Sequence, residues 1–240
     1  MASGDPAQND PEVVRHEYAE ESGLAGRASL WTRRDGPQPQ DVAFEELTSL
    51  EPVTVLEVGC GRGEFAERVT AAGFEIVATD QSPRMVELTA ARGVRAKVAD
   101  VEDLPFDADR FDVAIANFML YHVPNLDQGI AELWRVIRPG GRLIATANSR
   151  LQLAEFWELV GRDLSDRDDG FTRENGEQRL ANRFASVRRR DLDTTVRLTA
   201  TEIRDYVGHS VRHQHLAAKV PDLSDPLVVT AADSVFIAAK

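Results

Sequence analysis

The stretch Val53-Thr54-Val55-Leu56-Glu57-Val58-Gly59-Cys60-Gly61-Arg62-Gly63-Glu64 decides the fold. Its first half is apolar and β-branched without clean polar alternation, the pattern of a strand buried on both faces. Its second half carries glycine at the alternate positions 59, 61 and 63, where a strand turns into a helix. Glycine adopts dihedrals that a Cβ forbids and lets a ligand lie against the backbone, so the turn is built to have something pressed on it. A dinucleotide fingerprint begun at Gly59 needs its third glycine at position 64, which is Glu64. A carboxylate there repels a pyrophosphate, whereas a cationic or zwitterionic ligand is better matched.

Outward from this turn the chain alternates strand and helix. Glu64 to Ala72 reads as a helix stopped by Gly73, Ile76 to Thr79 as a strand, and Pro83 to Ala91 as a helix stopped by Gly93. Strands follow at Val94 to Ala99 and Phe111 to Ala116. Leu126, Ile130, Leu133, Trp134 and Ile137 recur at helical spacing, and Pro139-Gly140-Gly141 ends that helix before a strand from Arg142 to Ala147. Repeated βα units predict an α/β, doubly wound, Rossmann-like and mainly parallel sheet with helices on both faces. After Asn148 the pattern loosens: a helix from Leu151 to Val160, a polar stretch from Gly161 to Gly170, a helix from Glu174 to Phe184, and short strands at Val187 to Arg190 and Thr194 to Leu198. Thr199 then caps a helix to Gly208, and Ser234 to Ala239 reads as a terminal, antiparallel strand. The predicted organisation is a disordered tail over 1–10, N-terminal helices within 11–50, and a main domain over 51–240 in which 151–220 forms a cap or insertion on the acceptor side.

Composition excludes several function classes. The 240 residues hold 40 acidic against 28 basic side chains, a net charge of −12, which opposes a nucleic-acid-coating surface. Hydrophobic residues at 42% suffice for a packed core. A lone Cys60 makes neither an intrachain disulfide nor a thiolate metal site, so the expected setting is reducing and cytoplasmic. The longest apolar stretch, near Val113 to Val123, falls short of the ~20 residues that cross a bilayer, and no membrane insertion is expected.

The distinctive polar groups stand where strands finish: Glu57, Asp80, Asp100 and Asn117. Ligands of open α/β sheets bind in the crevice outside the carboxyl ends of the strands, so these groups converge on one cleft. Asp80 is placed to accept from the two hydroxyls of a ribose, an assignment that fits NAD and any other adenosine ligand equally. Asp100-Val101-Glu102 can meet an adenine edge and ring face.

Four blocks in order, Val55 to Gly63, Asp80-Gln81-Ser82-Pro83-Arg84-Met85, Ala99-Asp100-Val101-Glu102-Asp103-Leu104-Pro105-Phe106 and Arg135-Val136-Ile137-Arg138-Pro139-Gly140-Gly141, resemble class I S-adenosylmethionine-dependent methyltransferases. They are most similar to the small-molecule branch that includes ubiquinone- and menaquinone-type C-methyltransferases. The resemblance implies methyl transfer from S-adenosyl-L-methionine to a small-molecule acceptor, with S-adenosyl-L-homocysteine as product. By the same resemblance Glu57 organises the turn and the methionine ammonium. Gly59, Cys60 and Gly61 pass close to the methionyl and ribose parts, Asp80 holds the ribose, and Gln81 and Met85 flank the adenosine. Asp100, Val101 and Glu102 meet the adenine, and Asn117 faces the methionine portion. An N-terminal helix folding over the cofactor makes Tyr18 and Arg27 further candidates.

Plainer readings stand beside these. Cys60 fills space in the turn, Met85 serves as helix core as readily as cofactor contact, and Asn117 also simply terminates a strand. His122, in the cleft mouth, is either the general base for an acceptor or a histidine bonded to backbone. His209, His213 and His215 lack the spacing of a metal site, so no metal is expected. Arg188-Arg189-Arg190 fits a half-exposed strand edge, and Phe156 and Trp157 fit packing of the cap. Two rival functions use the same residues: a non-catalytic S-adenosylmethionine sensor, and an NAD-dependent oxidoreductase, which Glu64 opposes.

Overall fold

The computed structural model describes residues 31, 33–51, 53–162, 164, 170–208 and 213–240. Helix α1 (Pro39–Thr48) leads into β1 (Thr54–Val58), α2 (Glu64–Ala71), β2 (Glu75–Asp80), α3 (Pro83–Ala91), β3 (Arg95–Val98) and β4 (Phe111–Asn117). A 3₁₀ turn (Leu120–His122), α4 (Leu126–Val136) and β5 (Ile137–Asn148) complete the parallel part. The remainder is α5 (Ala154–Leu159), α6 (Gly176–Ala181), β6 (Ser186–Leu198), α7 (Ala200–Gly208), a second 3₁₀ turn (Gln214–Lys219) and β7 (Leu227–Ala239). Seven strands form one sheet in the order β3-β2-β1-β4-β5-β7-β6. β1 to β5 run parallel, and β7 lies antiparallel between β5 and β6.

Side-chain alternation divides the core into two layers. Leu56, Val58, Ala114, Ala116, Leu143, Ala145 and Phe236 pack against Ile130, Leu133 and Leu180 of α4 and α6. Val55, Val113, Ile115, Ile144, Leu192, Val235 and Ile237 pack on the other face, against Val42 and Leu47 of α1 and Ala66 and Val69 of α2. Helix starts follow local chemistry: the Ser82 hydroxyl accepts from the Met85 amide at 3.4 Å, and the Asn125 side chain from the Gln128 amide at 3.3 Å. At α7, Thr199 and Glu202 form a reciprocal pair, the Glu202 amide donating to Thr199 Oγ1 and the Thr199 amide to Glu202 Oε2.

Three sequence expectations change. Pro139-Gly140-Gly141 does not separate helix from strand: α4 stops at Val136 and β5 starts at Ile137, with a register shift opposite Phe111 and Val113. A Cβ on Gly141 would lie 2.5 Å from the Asp112 carbonyl, so glycine permits this close strand approach. The two short strands at 187–190 and 194–198 are one strand, β6, because β7 extends back to Leu227 and pairs along its whole length. The helix expected over 174–184 is confined to Gly176–Ala181.

The long β6–β7 pair changes the architecture of the second half. β5 pairs with β7 only as far as Asn148 opposite Asp233, whereas β6 and β7 continue together to Leu198 opposite Leu227. This overhang, with Val196, Leu198 and Val229, buries a third cluster together with Phe156, Trp157, Ile203, Val207 and Leu216. Phe156 and Trp157 are thus packing residues, 1% and 4% exposed. The Arg188-Arg189-Arg190 run pairs with Glu46, Asp191 and Glu45, as a charged strand edge does.

Candidate active site

Glu57 sits next to last in β1, between β2 and β4, and is 2% exposed. Burial pushes its carboxyl up from 4.5 to about 8. The Asn117 amide on β4 eases this in part without reaching a hydrogen bond of ordinary geometry, and the Asp80 charge adds to it. Glu57 Oε2 and both side-chain atoms of Asn117 are buried without hydrogen-bond partners. Buried polar groups left unmade cost free energy, and these three atoms form a polar site suited to a cationic donor.

The loop after β1 is held by Asp80. The Gly61 amide donates to Asp80 Oδ2 and the Ser82 amide to Asp80 Oδ1, each at 2.9 Å. Burial raises the Asp80 carboxyl and those amides pull it back. Each oxygen retains a lone pair, so the carboxylate can still accept from two hydroxyls.

The glycines divide by role. A Cβ on Gly59 would meet Met119 Cβ at 2.7 Å and one on Gly63 would meet Thr89 Oγ1 at 2.6 Å, so both are required for packing. Gly61, at φ +52°, faces open space, and it is the glycine against which a ligand can lie. Cys60 is filler: its thiol lies 3.4 Å from Thr89 Oγ1 and burial pushes it up to about 12.

The turn after β3 joins the same end of the sheet, because the Ala99 amide donates to the Asp80 carbonyl at 3.1 Å. Asp100 is exposed and accepts from the Glu102 amide at 2.9 Å. Val101 is buried, and Glu102 Oε1 accepts from the Asn125 amide at 2.9 Å, tying this turn to the start of α4. Gln81 is exposed, while Met85 is fully buried and belongs to the packing of α3. Tyr18 and Arg27 lie outside the described residues.

Beyond β4, Phe118 adopts φ +52°, held by its amide donating to Thr146 Oγ1 at 2.9 Å. Strain of this kind at a non-glycine residue marks a turn that its surroundings enforce. His122 follows, half-buried, its ring 4.3 Å from that of Tyr121. His213 contacts Arg162 and the Trp157 ring, His209 lies outside the described residues, and no metal-binding cluster occurs among the described residues. No helix among them is long and apolar enough to cross a membrane. Glu64, exposed at the start of α2, shares its charge with Arg62 at 3.9 Å and Arg92 at 3.6 Å, which softens its opposition to a pyrophosphate.

Sequence reading missed one feature of this sheet end, a buried ion pair between Arg34 and Asp233 at 2.5 Å. Asp233 was discoverable as the one charge within the apolar run Val228 to Ala239. Arg34, in a polar segment, carried no comparable signal.

Comparison with known proteins agrees with this geometry. Residues 56–145 match a family described as Methyltransferase domain. An uncharacterized methyltransferase of Mycobacterium tuberculosis (strain H37Rv) is 30% identical over 181 residues, 73% of this chain and 71% of that protein. A malonyl-[acyl-carrier protein] O-methyltransferase of Pseudescherichia vulneris is 33% identical over 128 residues, 51% of each. The chain therefore spans about half the length of that relative. The crystal structure of the YcgJ protein from Bacillus subtilis superposes with a TM-score of 0.63 at 15% identity, covering 82% of this chain and 97% of that one, a likeness of fold.

Proposed function

Because the chain belongs to the methyltransferase family, we propose that it transfers a methyl group from S-adenosyl-L-methionine to a small-molecule acceptor, through oxygen, nitrogen or carbon. The observation that carries this reading is the pairing of Glu57 and Asn117, buried with unpartnered polar atoms, beside the open approach at Gly61. The ionised form of this carboxyl is repelled by a diphosphate and satisfied by an amino-acid ammonium. When bound, S-adenosyl-L-methionine supplies a methyl group already activated on a sulfonium. Asp80 binds the ribose hydroxyls, Glu57 with Asn117 the ammonium end, and Val101 with Asp100 the adenine. Gln81 lies alongside as an exposed neighbour. With the leaving group activated, the protein's contribution is alignment and exclusion of water, effects worth ~7–11 kcal/mol in well-oriented intramolecular reactions. His122 at the cleft mouth takes the proton of the acceptor where the acceptor has one to lose. The segment 151–220 closes the acceptor side. A small acceptor rather than nucleic acid, and a cytoplasmic setting, belong to this reading; the net charge of −12 supports the first.

Calorimetric titration tests it directly. S-adenosyl-L-homocysteine is expected to bind saturably and NADH not at all. Saturable NADH binding without homocysteine-product binding overturns the proposal, and a labelled-methyl screen over phenols, quinones, amines and carboxylic acids then seeks the acceptor.

A further inference from the structure

The Arg34–Asp233 pair is the most heavily buried ion pair among the described residues, its side chains 2% and 1% exposed. It is also incompletely made. Arg34 Nη2 donates to Asp233 Oδ2 at 2.5 Å, while Arg34 Nε, Arg34 Nη1 and Asp233 Oδ1 are buried without partners. A guanidinium and a carboxylate serving only as a clamp would join by two parallel bonds from two nitrogens to both oxygens, leaving one guanidinium nitrogen over and no carboxylate oxygen unpartnered. Here three strongly polar atoms are withdrawn from water, a cost that a polar occupant would offset.

Register fixes where this happens. Asp233 stands opposite Asn148 at the carboxyl end of β5, where the sheet proper gives way to the β6–β7 overhang. It shares a sheet face with Val235 and Ile237, and so with Val55, Ile115 and, by alternation, Glu57 and Asn117. Thr146 pairs with Asn117, which puts Asp233 two strands across and two residues further toward the crevice, roughly 12 Å away at ordinary strand spacing. A small acceptor of one or two rings spans that distance. Residues 34–36 reach the pair along the outer edge of β6, the Asp35 amide donating to the Thr195 carbonyl at 2.8 Å. The charge of Arg173 is also felt at Asp233 and is opposed there by that of Asp193; Arg173 is itself paired with Asp191 at 3.0 Å and with Asp193, which leaves Arg34 as the principal cation at this buried carboxylate.

We propose that Arg34 and Asp233 form the distal acceptor subsite and take a carboxylate bearing a neighbouring hydroxyl. The free Nε and Nη1 of Arg34 donate to the carboxylate, and Asp233 Oδ1 accepts from the hydroxyl. A carboxylate is favoured over a phenolate because it is ionised at neutral pH before burial. The subsite is an acceptor site only if the proposed methyl-donor site is correct, but its ligand chemistry is testable without it.

Salicylate, which carries the carboxylate and hydroxyl on adjacent carbons, and salicylamide, its uncharged counterpart, are titrated calorimetrically with and without saturating S-adenosyl-L-homocysteine. Parent protein is expected to bind salicylate saturably and salicylamide at least tenfold more weakly. The double variant Arg34→Met/Asp233→Leu replaces the pair by apolar groups, so it is expected to fold, to keep homocysteine-product binding and to lose salicylate binding. Arg34→Lys is expected to bind salicylate at least fivefold more weakly. Absent salicylate binding in the parent, equal binding of the amide, or parent-like salicylate binding by the double variant overturns the subsite. Absent homocysteine-product binding in the parent overturns the donor site instead, and salicylate titrated alone still decides the subsite.

Discussion

The amide of Gly61 donates to Asp80 Oδ2 at 2.9 Å, so the loop that follows β1 is fixed by the residue that ends β2. One carboxylate thereby shapes the loop and, in the proposed function, also binds the ribose. Asp80→Ala removes both functions and is expected to weaken S-adenosyl-L-homocysteine binding by more than 100-fold. Asp80→Asn keeps one acceptor oxygen and is expected to lose about 10- to 100-fold, from charged hydrogen bonds worth ~1.5–3 kcal/mol. Calorimetry on both variants checks the order, and parent-like binding by Asp80→Asn would show that the charge is immaterial.

Much of this was legible in the sequence because the parallel sheet announces itself through buried strands and glycine stops. Glu57, Asp80 and Asn117 were readable as strand-end groups, and they do converge. What was not legible depends on partners distant along the chain. The full length of β6 is set by pairing with β7, not by its own alternation, and the role of Arg34 depends on a strand 199 positions away. The three loop glycines looked equivalent in sequence, and only their neighbours, Met119, Thr89 and empty space, tell them apart.

Those neighbours give opposite expectations for two alanine variants. Gly63→Ala forces a Cβ to within 2.8 Å of the Thr89 backbone at φ +78°, and a loss of about 1–3 kcal/mol in unfolding free energy is expected. Gly61→Ala meets nothing, so its stability cost is confined to the left-handed conformation, about 1–2 kcal/mol, while its methyl occupies the ligand's approach. Denaturant unfolding together with product titration should therefore show Gly61→Ala losing proportionately more binding than stability.

If His122 accepts the acceptor's proton, His122→Gln should lower kcat by about 10²–10⁴-fold and leave homocysteine-product binding intact. The acidic limb of the parent's pH–rate profile should vanish with it. Turnover unchanged in rate and pH profile would assign His122 to the architecture of the turn after β4.

Cys60 offers a check on burial that needs no ligand. A thiol pushed up to about 12 carries almost no thiolate at pH 8, so iodoacetamide should leave the folded protein unmodified and label it after unfolding. Mass spectrometry reads both states, and rapid labelling of the folded protein would contradict the packing of Cys60 against Thr89.

The raised Glu57 carboxyl makes two pH predictions of opposite sign. Between 4.5 and about 8 the folded state holds a proton that the unfolded state releases, so this group's stabilisation is complete below 4.5 and is lost as pH rises through 8. The ligand-free protein should therefore lose Tm over that window, with Asp80 and Asp233, both also raised by burial, contributing in the same direction from 3.8 upward. Glu57→Gln should flatten the profile in part. Pairing Glu57 with an ammonium requires its ionised form, so S-adenosyl-L-methionine affinity should instead rise with pH up to about 8 and binding should release a proton. Calorimetry at pH 7 in buffers of different ionisation enthalpy counts that proton, and in Glu57→Gln the count should fall toward zero; an unchanged count would place the released proton on another group and remove Glu57 from contact with the ammonium.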